Sequence, residues 1–475
     1  MNNQKKLLMQ LIIFSVIVLS LTSCGDPLPS VQVTPRLITE QSIMIQDVAV
    51  FDSETMAVLP HMDVVISEGL IVSVSTSGES VSNGMYVISG VGATLVPGLI
   101  DMHGHLTIST GPSWKFALPT PETNLLAYAY SGITTIFDPS DSSDEAYWRR
   151  EKVANGELIG PRIFTTGRII TSPEGHPRSL VEELAPWWIK WYLKPKVATG
   201  VATQEQAIVA VDERLDAGAD AIKIVVDQIP LDAEMLTPEL ISAIVGQAAL
   251  RGKRTVAHVG TTENAITAAD AGIALWVHGV YKEPLTDIMV EKLVSYGIPM
   301  VTTSEVFDRY GRAQDGPIIP TKLETETVAK SVLDSFFPIP EDFDPGPLLS
   351  WAELMQNTQQ VRLDNVAKLH AAGMMILAGS DAQSGVFPGA SLHRELVSLV
   401  DAGLSPAQAI RAATFDAASY LANGETPDSG NIEVGKRADM ILVEGDPTVD
   451  INALANLREV VLNGVLLDRV AVINN

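Results

Sequence analysis

His103 and His105 stand two residues apart in Asp101-Met102-His103-Gly104-His105, directly after an apolar run. In a strand, residues i and i+2 share a face. Both imidazoles can therefore point into one site, and Gly104 leaves room between them. His258 comes at the end of Val256-Ala257-His258, and His278 at the end of Trp276-Val277-His278. Asp381 follows Leu377-Ala378-Gly379-Ser380. Each stands where an apolar run gives way to a loop. Four imidazoles and a carboxylate can bind divalent metal, and Asp381 can also accept a proton from water held there. The sequence has one cysteine, Cys24, so an intrachain disulfide and a Cys-rich zinc site are both excluded.

Lys223 lies inside the apolar run Ala221-Ile222-Lys223-Ile224-Val225-Val226. A buried lysine is rare unless paired, and a bare ammonium would repel metal ions. It is either a snorkelling or ion-paired lysine, or one carboxylated by CO₂. Carboxylation turns the cation into a carbamate able to bridge two metals. His176, in Glu174-Gly175-His176-Pro177, is a substrate-binding or carbonyl-polarising candidate, with a surface-loop histidine as the alternative. His61, His370 and His393 are set aside, the last as a residue that packs or caps a helix.

The elements that must position these residues can be read from periodicity. After Pro97-Gly98, eight strand-like runs begin, at Leu99, Thr134, Ile163, Ala221, Thr255, Ala274, Met300 and Met374. Helix-length amphipathic stretches such as Thr203–Ala217, Pro238–Arg251 and Val361–Ala371 separate most of them. Eight such units predict a (β/α)₈ barrel, whose active sites lie at the C-terminal ends of the strands. The third run is read as Ile163–Ile169, and a helix over Pro406–Leu421 follows the last unit. Short β-rich runs precede the barrel, from Ile43 to Val96, and others follow it, at Asp439–Val443 and Val460–Leu462. The two sets are expected to join into one small β-sandwich. The divisions are 43–96 and 425–475 for the sandwich and 97–424 for the barrel. Two long loops interrupt the pattern. One, from Gly175 to Thr199, carries Trp187, Trp188, Trp191 and Tyr192, which either stack on substrate under a lid or glue the loop down. The other runs from Tyr310 to Trp351.

The bulk numbers agree with a large α/β core: hydrophobic content is 46% and aromatic content 6%. The formal net charge of −25 makes nucleic acid a poor partner. Lys5 and Lys6 precede an apolar run from Leu7 to Leu21, which has the form of a secretory signal covering residues 1–23. The ending Leu21-Thr22-Ser23-Cys24 resembles the lipobox of bacterial lipoproteins. That resemblance implies cleavage before Cys24 and lipidation of its thiol. The proline-bearing, aperiodic stretch that follows reads as a tether, over 24–42. The expected location is outside the cytoplasm, anchored through lipid alone. Gly25 after the cysteine leans towards the outer membrane.

Taken together, the motifs resemble the amidohydrolase superfamily, especially its imidazolonepropionase-like and prolidase-like branch, over roughly residues 43 to 470. Pro97-Gly98-Leu99-Ile100-Asp101-Met102-His103-Gly104-His105 is similar to the family's first-strand signature. Gly218-Ala219-Asp220-Ala221-Ile222-Lys223-Ile224 resembles its carboxylated-lysine strand, and Gly379-Ser380-Asp381 its last-strand Gly-Thr-Asp. Gly435-Lys436-Arg437-Ala438-Asp439 resembles the return into its composite sandwich. Lys223 favours the binuclear, prolidase-like group, because imidazolonepropionase lacks the bridging lysine. The resemblance implies one metal on His103, His105 and Asp381, a second on His258 and His278, and a bridge of carboxylated Lys223 with hydroxide. Such donors suit Zn²⁺, with Mn²⁺ or Co²⁺ open. Relatives often have Gly-Gly-His-Gly where this chain has Glu-Gly-His-Pro, which puts the loop geometry around His176 in question.

The resemblance further implies hydrolysis of an amide or dipeptide-like substrate, with specificity of the Xaa-Pro or Xaa-Arg dipeptidase kind. A cyclic amide, lactone or phosphoester would suit the same metal core. A non-catalytic binding lipoprotein is the alternative outside enzymes. Arg178, Lys194 and Lys196 are candidates for a substrate carboxylate, and Tyr281 is a candidate substrate contact. Relatives often form homo-oligomers.

Overall fold

The computed structural model describes residues 36–38 and 42–469, apart from 81, 83, 116–119, 143–144, 186, 313–315 and 347. The signal segment, Cys24 and most of the stretch read as a tether lie outside the described residues. No helix among the described residues is long and apolar enough to cross a membrane.

Strands are numbered along the chain. The first six are β1 (Arg36–Ile38), β2 (Ser42–Asp52), β3 (Ala57–Ser67), β4 (Leu70–Thr76), β5 (Tyr86–Ser89) and β6 (Ala93–Pro97). The last three are β17 (Met440–Glu444), β18 (Leu457–Leu462) and β19 (Val465–Asp468). All join one sheet in the order β1-β19-β18-β17-β6-β2-β3-β4, with β5 beside β2. The seam between the two ends of the chain is β6 against β17, antiparallel, with Pro97 opposite Met440 and Ala93 opposite Glu444. The seam holds because both segments send apolar side chains to one interior. Ile43, Ile45, Val64 and Leu95 meet Met440, Leu442, Val461 and Leu466 there. β19, beyond the turn Asn463-Gly464, was not read from the sequence. It pairs with β1, which falls inside the stretch assigned to the tether.

Between the two sheet segments lies the barrel. Its strands are β7 (Leu99–Asp101), β8 (Ile133–Asp138), β9 (Arg162–Thr165), β10 (Ile169–Thr171), β12 (Ile222–Val226), β13 (Thr255–Val259), β14 (Leu275–Val277), β15 (Met300–Thr302) and β16 (Ile376–Ala378). They run parallel in two hydrogen-bonded arcs, β7-β8-β9 and β10-β12-β13-β14-β15-β16, and β11 (Ala198–Gly200) adds to β10. Backbone bonds close the ring. Asp220 N–H donates to the Thr165 carbonyl at 2.9 Å, and Met102 N–H to the Ala378 carbonyl at 3.0 Å. Strands packed on both faces read as near-continuous apolar runs, which is why they could be found in the sequence. The helices are set by threonine caps. Thr203, Thr237, Thr261 and Thr286 each accept a backbone N–H in the first turn. The helix Pro238–Leu250 buries Leu240, Ile241, Ile244, Val245 and Ala248, a 3.6-residue stripe facing the strands. Full burial of each aliphatic side chain contributes about 1.5–3 kcal/mol.

Two expected elements are divided. The run Ile163–Ile169 is not one strand, because Gly167 takes φ 62° between β9 and β10. A Cβ there would lie 2.5 Å from the Tyr147 hydroxyl. The helix over Pro406–Leu421 is two, Pro406–Ala412 and Phe415–Leu421. Its break is fixed by the Ala413 carbonyl, which accepts the Ile100 N–H at 2.7 Å, and by Thr414 at φ −136°, ψ −94°. The long loops carry helices of their own, Arg178–Leu184 and Lys190–Val197 in the first, Lys322–Thr327 and Lys330–Asp334 in the second. Of the loop aromatics, Trp187 is 84% exposed and Trp191 75%, and the Trp191 indole N–H donates to the Trp188 carbonyl at 2.9 Å.

Candidate functional site

Six side chains from five strand ends converge at the C-terminal mouth of the barrel. β7 delivers His103 and His105, whose Nε2 atoms lie 3.2 Å apart. β16 delivers Asp381, whose Oδ1 lies 2.9 Å from His105 Nε2 and 3.6 Å from His103 Nε2. β14 delivers His278, with Nδ1 3.9 Å from Asp381 Oδ2. β13 delivers His258, whose ring centroid lies 4.1 Å from that of His278. His103, His278 and Asp381 each offer a donor atom, all within 4.8 Å of one another. That triple takes two members of one expected ligand set, His103 and Asp381, and one of the other, His278, so the two sets form one contiguous cluster. Lys223, on β12, is buried and acts electrostatically on His103, His258, His278 and Asp381.

Backbone strain marks the same place. His278 has φ 71° and Asp381 φ 51°, left-handed values unusual outside glycine. Each costs on the order of 1–3 kcal/mol, a cost that persists where the surroundings over-determine it. Asp381 is held by its own N–H, which donates to the His103 carbonyl at 2.7 Å. Gly279 follows His278 because a Cβ there would meet Met300 Sδ at 2.2 Å. Gly104 leaves room for a different neighbour from the one expected. Its missing Cβ admits the Tyr128 hydroxyl, which accepts the His105 N–H at 3.0 Å.

Burial sets the charge states. It pushes His103, His258 and His278 well below the usual histidine range, so these rings are neutral and carry a free lone pair. The buried His103 Nδ1 has no hydrogen-bond partner. His105 differs. Burial lowers it, but hydrogen bonds to Asp138 and Asp381 outweigh burial and raise it to about 9. Asp381 would be raised by burial, yet its bond to His105 and the nearby cations hold it below the usual carboxylate range. Burial lowers the Lys223 amine to about 7, with Asp381 opposing. Three neutral imidazoles, the Asp381 carboxylate and a protonated His105 whose Nδ1 faces Asp138 and whose Nε2 faces Asp381 form a donor set that suits divalent cations, whose binding displaces such protons.

Around the cluster stands a ring of supporting groups that sequence reasoning missed. Asp138, at the end of β8, lies 3.3 Å from His105 Nδ1. Asp227, directly after β12, lies 3.0 Å from His258 Nε2. Thr303 Oγ1 lies 2.6 Å from His278 Nδ1, and Gln383 Nε2 donates to Asp381 Oδ1 at 2.8 Å. Outer partners of this kind fix the tautomer and orientation of metal-binding histidines. A signal existed for the two acids: each is the first residue after an apolar strand run, at the end of the barrel where function collects.

The remaining candidates divide. His176 comes to the site, its ring 5.4 Å from that of His258, with a buried and unpartnered Nδ1. Burial lowers it to about 4, so it is neutral. It is not a surface-loop histidine, despite the Glu-Gly-His-Pro loop. Tyr281 is buried behind the site, stacked on Phe307 at 4.0 Å with its hydroxyl donating to Asp227. Arg178 is a correction to the expected substrate contact. Its guanidinium donates to the carbonyls of Pro173 (2.7 Å), Lys194 (3.1 Å) and Ala198 (3.0 Å), which makes it a clamp on its own loop. Lys194 pairs with Glu174 and Glu182. His393 is buried and its Nε2 donates to the Ser131 carbonyl at 2.8 Å. His61 is on the surface beside Asp47.

The fold occurs in known proteins. An Xaa-Pro dipeptidase with bound methionine is 23% identical, with TM-score 0.73 over 90% of this chain and 99% of its own. A prolidase complexed with N-methylphosphonate-L-proline is 22% identical, with TM-score 0.71 over 90% of this chain and all of its own. An ochratoxinase of A. niger is 19% identical, with TM-score 0.68 over 90% and 95%. At these identities the likeness speaks for the fold. No curated protein matches the sequence. The amidohydrolase family model matches residues 94–467, which takes in both the barrel and the closing strands, and the chain belongs to that family.

Proposed function

We propose that the protein is a binuclear metal-dependent hydrolase that cleaves the C–N bond of a dipeptide-like amide. The observation that carries this reading is the convergence of four histidines, Asp381 and a buried Lys223 at one barrel mouth. His103, His105 and Asp381 would hold one cation, His258 and His278 the other, with carboxylated Lys223 between them. Carboxylation is chemically open to this residue. Burial lowers its amine to about 7, so a substantial share is the neutral nucleophile that adds to CO₂, giving a carbamate and a released proton. Zn²⁺ fits the donors best. Dipeptidase and prolidase neighbours support the amide assignment.

The chemistry the two cations supply when bound is a lower pKa for water and polarisation of the substrate carbonyl. Asp381 accepts the proton of the attacking water and passes it to the leaving nitrogen. Its φ of 51° and the Gln383 contact hold the carboxylate in place for both transfers. His176 would orient the carbonyl, a reading supported by its neutral ring and its unpartnered, buried Nδ1. We also propose that the mature chain begins at a lipidated Cys24 outside the cytoplasm. The test is a panel of dipeptides, N-acyl amino acids, cyclic amides, lactones and phosphoesters, read by mass spectrometry. Turnover of the linear amides is expected, and turnover of lactones or phosphoesters alone would reject the amide assignment.

A further inference from the structure

We infer that Asp227 is the positioning residue that makes His258 a metal ligand, by holding its proton on Nε2 and leaving the Nδ1 lone pair for the cation; this rests on the binuclear reading above. An ionised carboxylate only accepts hydrogen bonds. The 3.0 Å contact between His258 Nε2 and Asp227 Oδ2 therefore requires Nε2 to donate. A neutral imidazole protonated on Nε2 carries its lone pair on Nδ1. His105 is tied in the opposite sense, at Nδ1, by Asp138. Its Nε2 is thus the atom turned to the cluster, 2.9 Å from Asp381 Oδ1, whereas His258 is held at Nε2.

Asp227 is built to stay where it is. The Tyr281 hydroxyl donates to Oδ2. On Oδ1, Lys282 Nζ donates at 2.6 Å, the Gln228 N–H at 2.8 Å and Asn264 Nδ2 at 3.4 Å. The carboxylate rests against Gly260, where a Cβ would lie 2.6 Å from both of its oxygens. The Gly260 carbonyl in turn accepts the N–H groups of Tyr281 and Lys282, both at 3.1 Å. One glycine thus makes room for the acid and also anchors the segment that supplies two of its donors. An ion pair with Lys282 alone would need none of this, nor the contact with His258.

The experiment compares wild type, Asp227→Asn and the double variant Asp227→Asn/Lys282→Met, each loaded with Zn²⁺ in bicarbonate. The double variant removes both charges together and leaves no unpaired ammonium if the single variant fails to fold. Two readouts are taken: Zn²⁺ affinity by chelator competition, and the His258 tautomer by ¹⁵N spectroscopy of the histidine-labelled, metal-free protein. In both variants one of two Zn²⁺ sites should weaken by about 10–100-fold while the other is unchanged. The His258 signal should move from the Nε2–H form towards the Nδ1–H form, because the asparagine amide can donate to Nε2. A folded variant that keeps both sites at wild-type affinity and the wild-type tautomer overturns the role of Asp227. Wild type holding fewer than two ions would instead remove the binuclear reading, and the tautomer readout would then judge Asp227 by itself.

Discussion

Lys223 is the residue on which the two-metal chemistry turns. It is 2% exposed, among three histidines that burial keeps neutral. As a carbamate it is an anion between cations, and as an ammonium it is a buried repelling charge. Lys223→Ala should therefore cost both bound metal and more than about 100-fold in activity, beyond what loss of an outer partner costs. A short carboxylic acid in the buffer should restore part of it, and full activity in the unrescued variant would remove the carbamate from the account. His176→Ala should leave the metal content intact while kcat falls by about 100-fold. Loss of metal in that variant would make His176 a ligand instead. The ligand candidates were legible in the sequence because histidines at strand ends are scarce, and His103, His105, His258, His278 and Asp381 all meet in the structure. Asp138 and Asp227 were not, because an acid opening a loop is ordinary until its partner is known. Their partners, His105 and His258, are 33 and 31 residues away in the chain.

At the scale of elements, local pattern located the strands and tertiary contacts divided two of the expected elements. The Ile163–Ile169 run has strand composition throughout, but Gly167 turns it so that β10 can pair with β12. The helix break at Ala413–Thr414 depends on the Ile100 N–H, more than 300 residues earlier, which no local pattern reveals. Arg178 looked like a carboxylate receptor from its type and loop. The structure uses it to gather Pro173, Lys194 and Ala198. Arg178→Ala should therefore speed amide exchange across this loop and weaken substrates with and without a carboxylate alike. A loss confined to carboxylate substrates would return Arg178 to the binding role. The helix Ala390–Asp401 carries a pH dependence of its own through His393. Burial lowers this residue from 6.5 to about 4, outweighing the bond to Ser131. The unfolded chain takes up a proton near pH 6.5 that the folded chain refuses until about 4. Its stabilising contribution is complete above pH 6.5 and lost as the pH falls through that window, by on the order of 3 kcal/mol. Urea midpoints of His393→Gln should fall less steeply than wild type between pH 6.5 and 4.5, and parallel curves would refute the assignment.

For the whole molecule, the order of strands and helices already specified a barrel with its site at the C-terminal mouth. The joining of residues before and after it followed from two apolar β-rich segments that each lack an interior alone. The structure meets that need through the β6–β17 seam and the shared core of Leu95 with Leu442 and Val461. What periodicity could not reach was the edge, where β1 and β19 pair through short strands with little alternation. The central claim for the molecule is that this single mouth holds two ions. It is tested most directly by metal content per chain, measured by elemental mass spectrometry on the form starting at Gly25, purified without chelator and with bicarbonate present. About two zinc-like ions per chain are expected. About one ion per chain would contradict the claim, and would make Lys223 a structural lysine beside a mononuclear site.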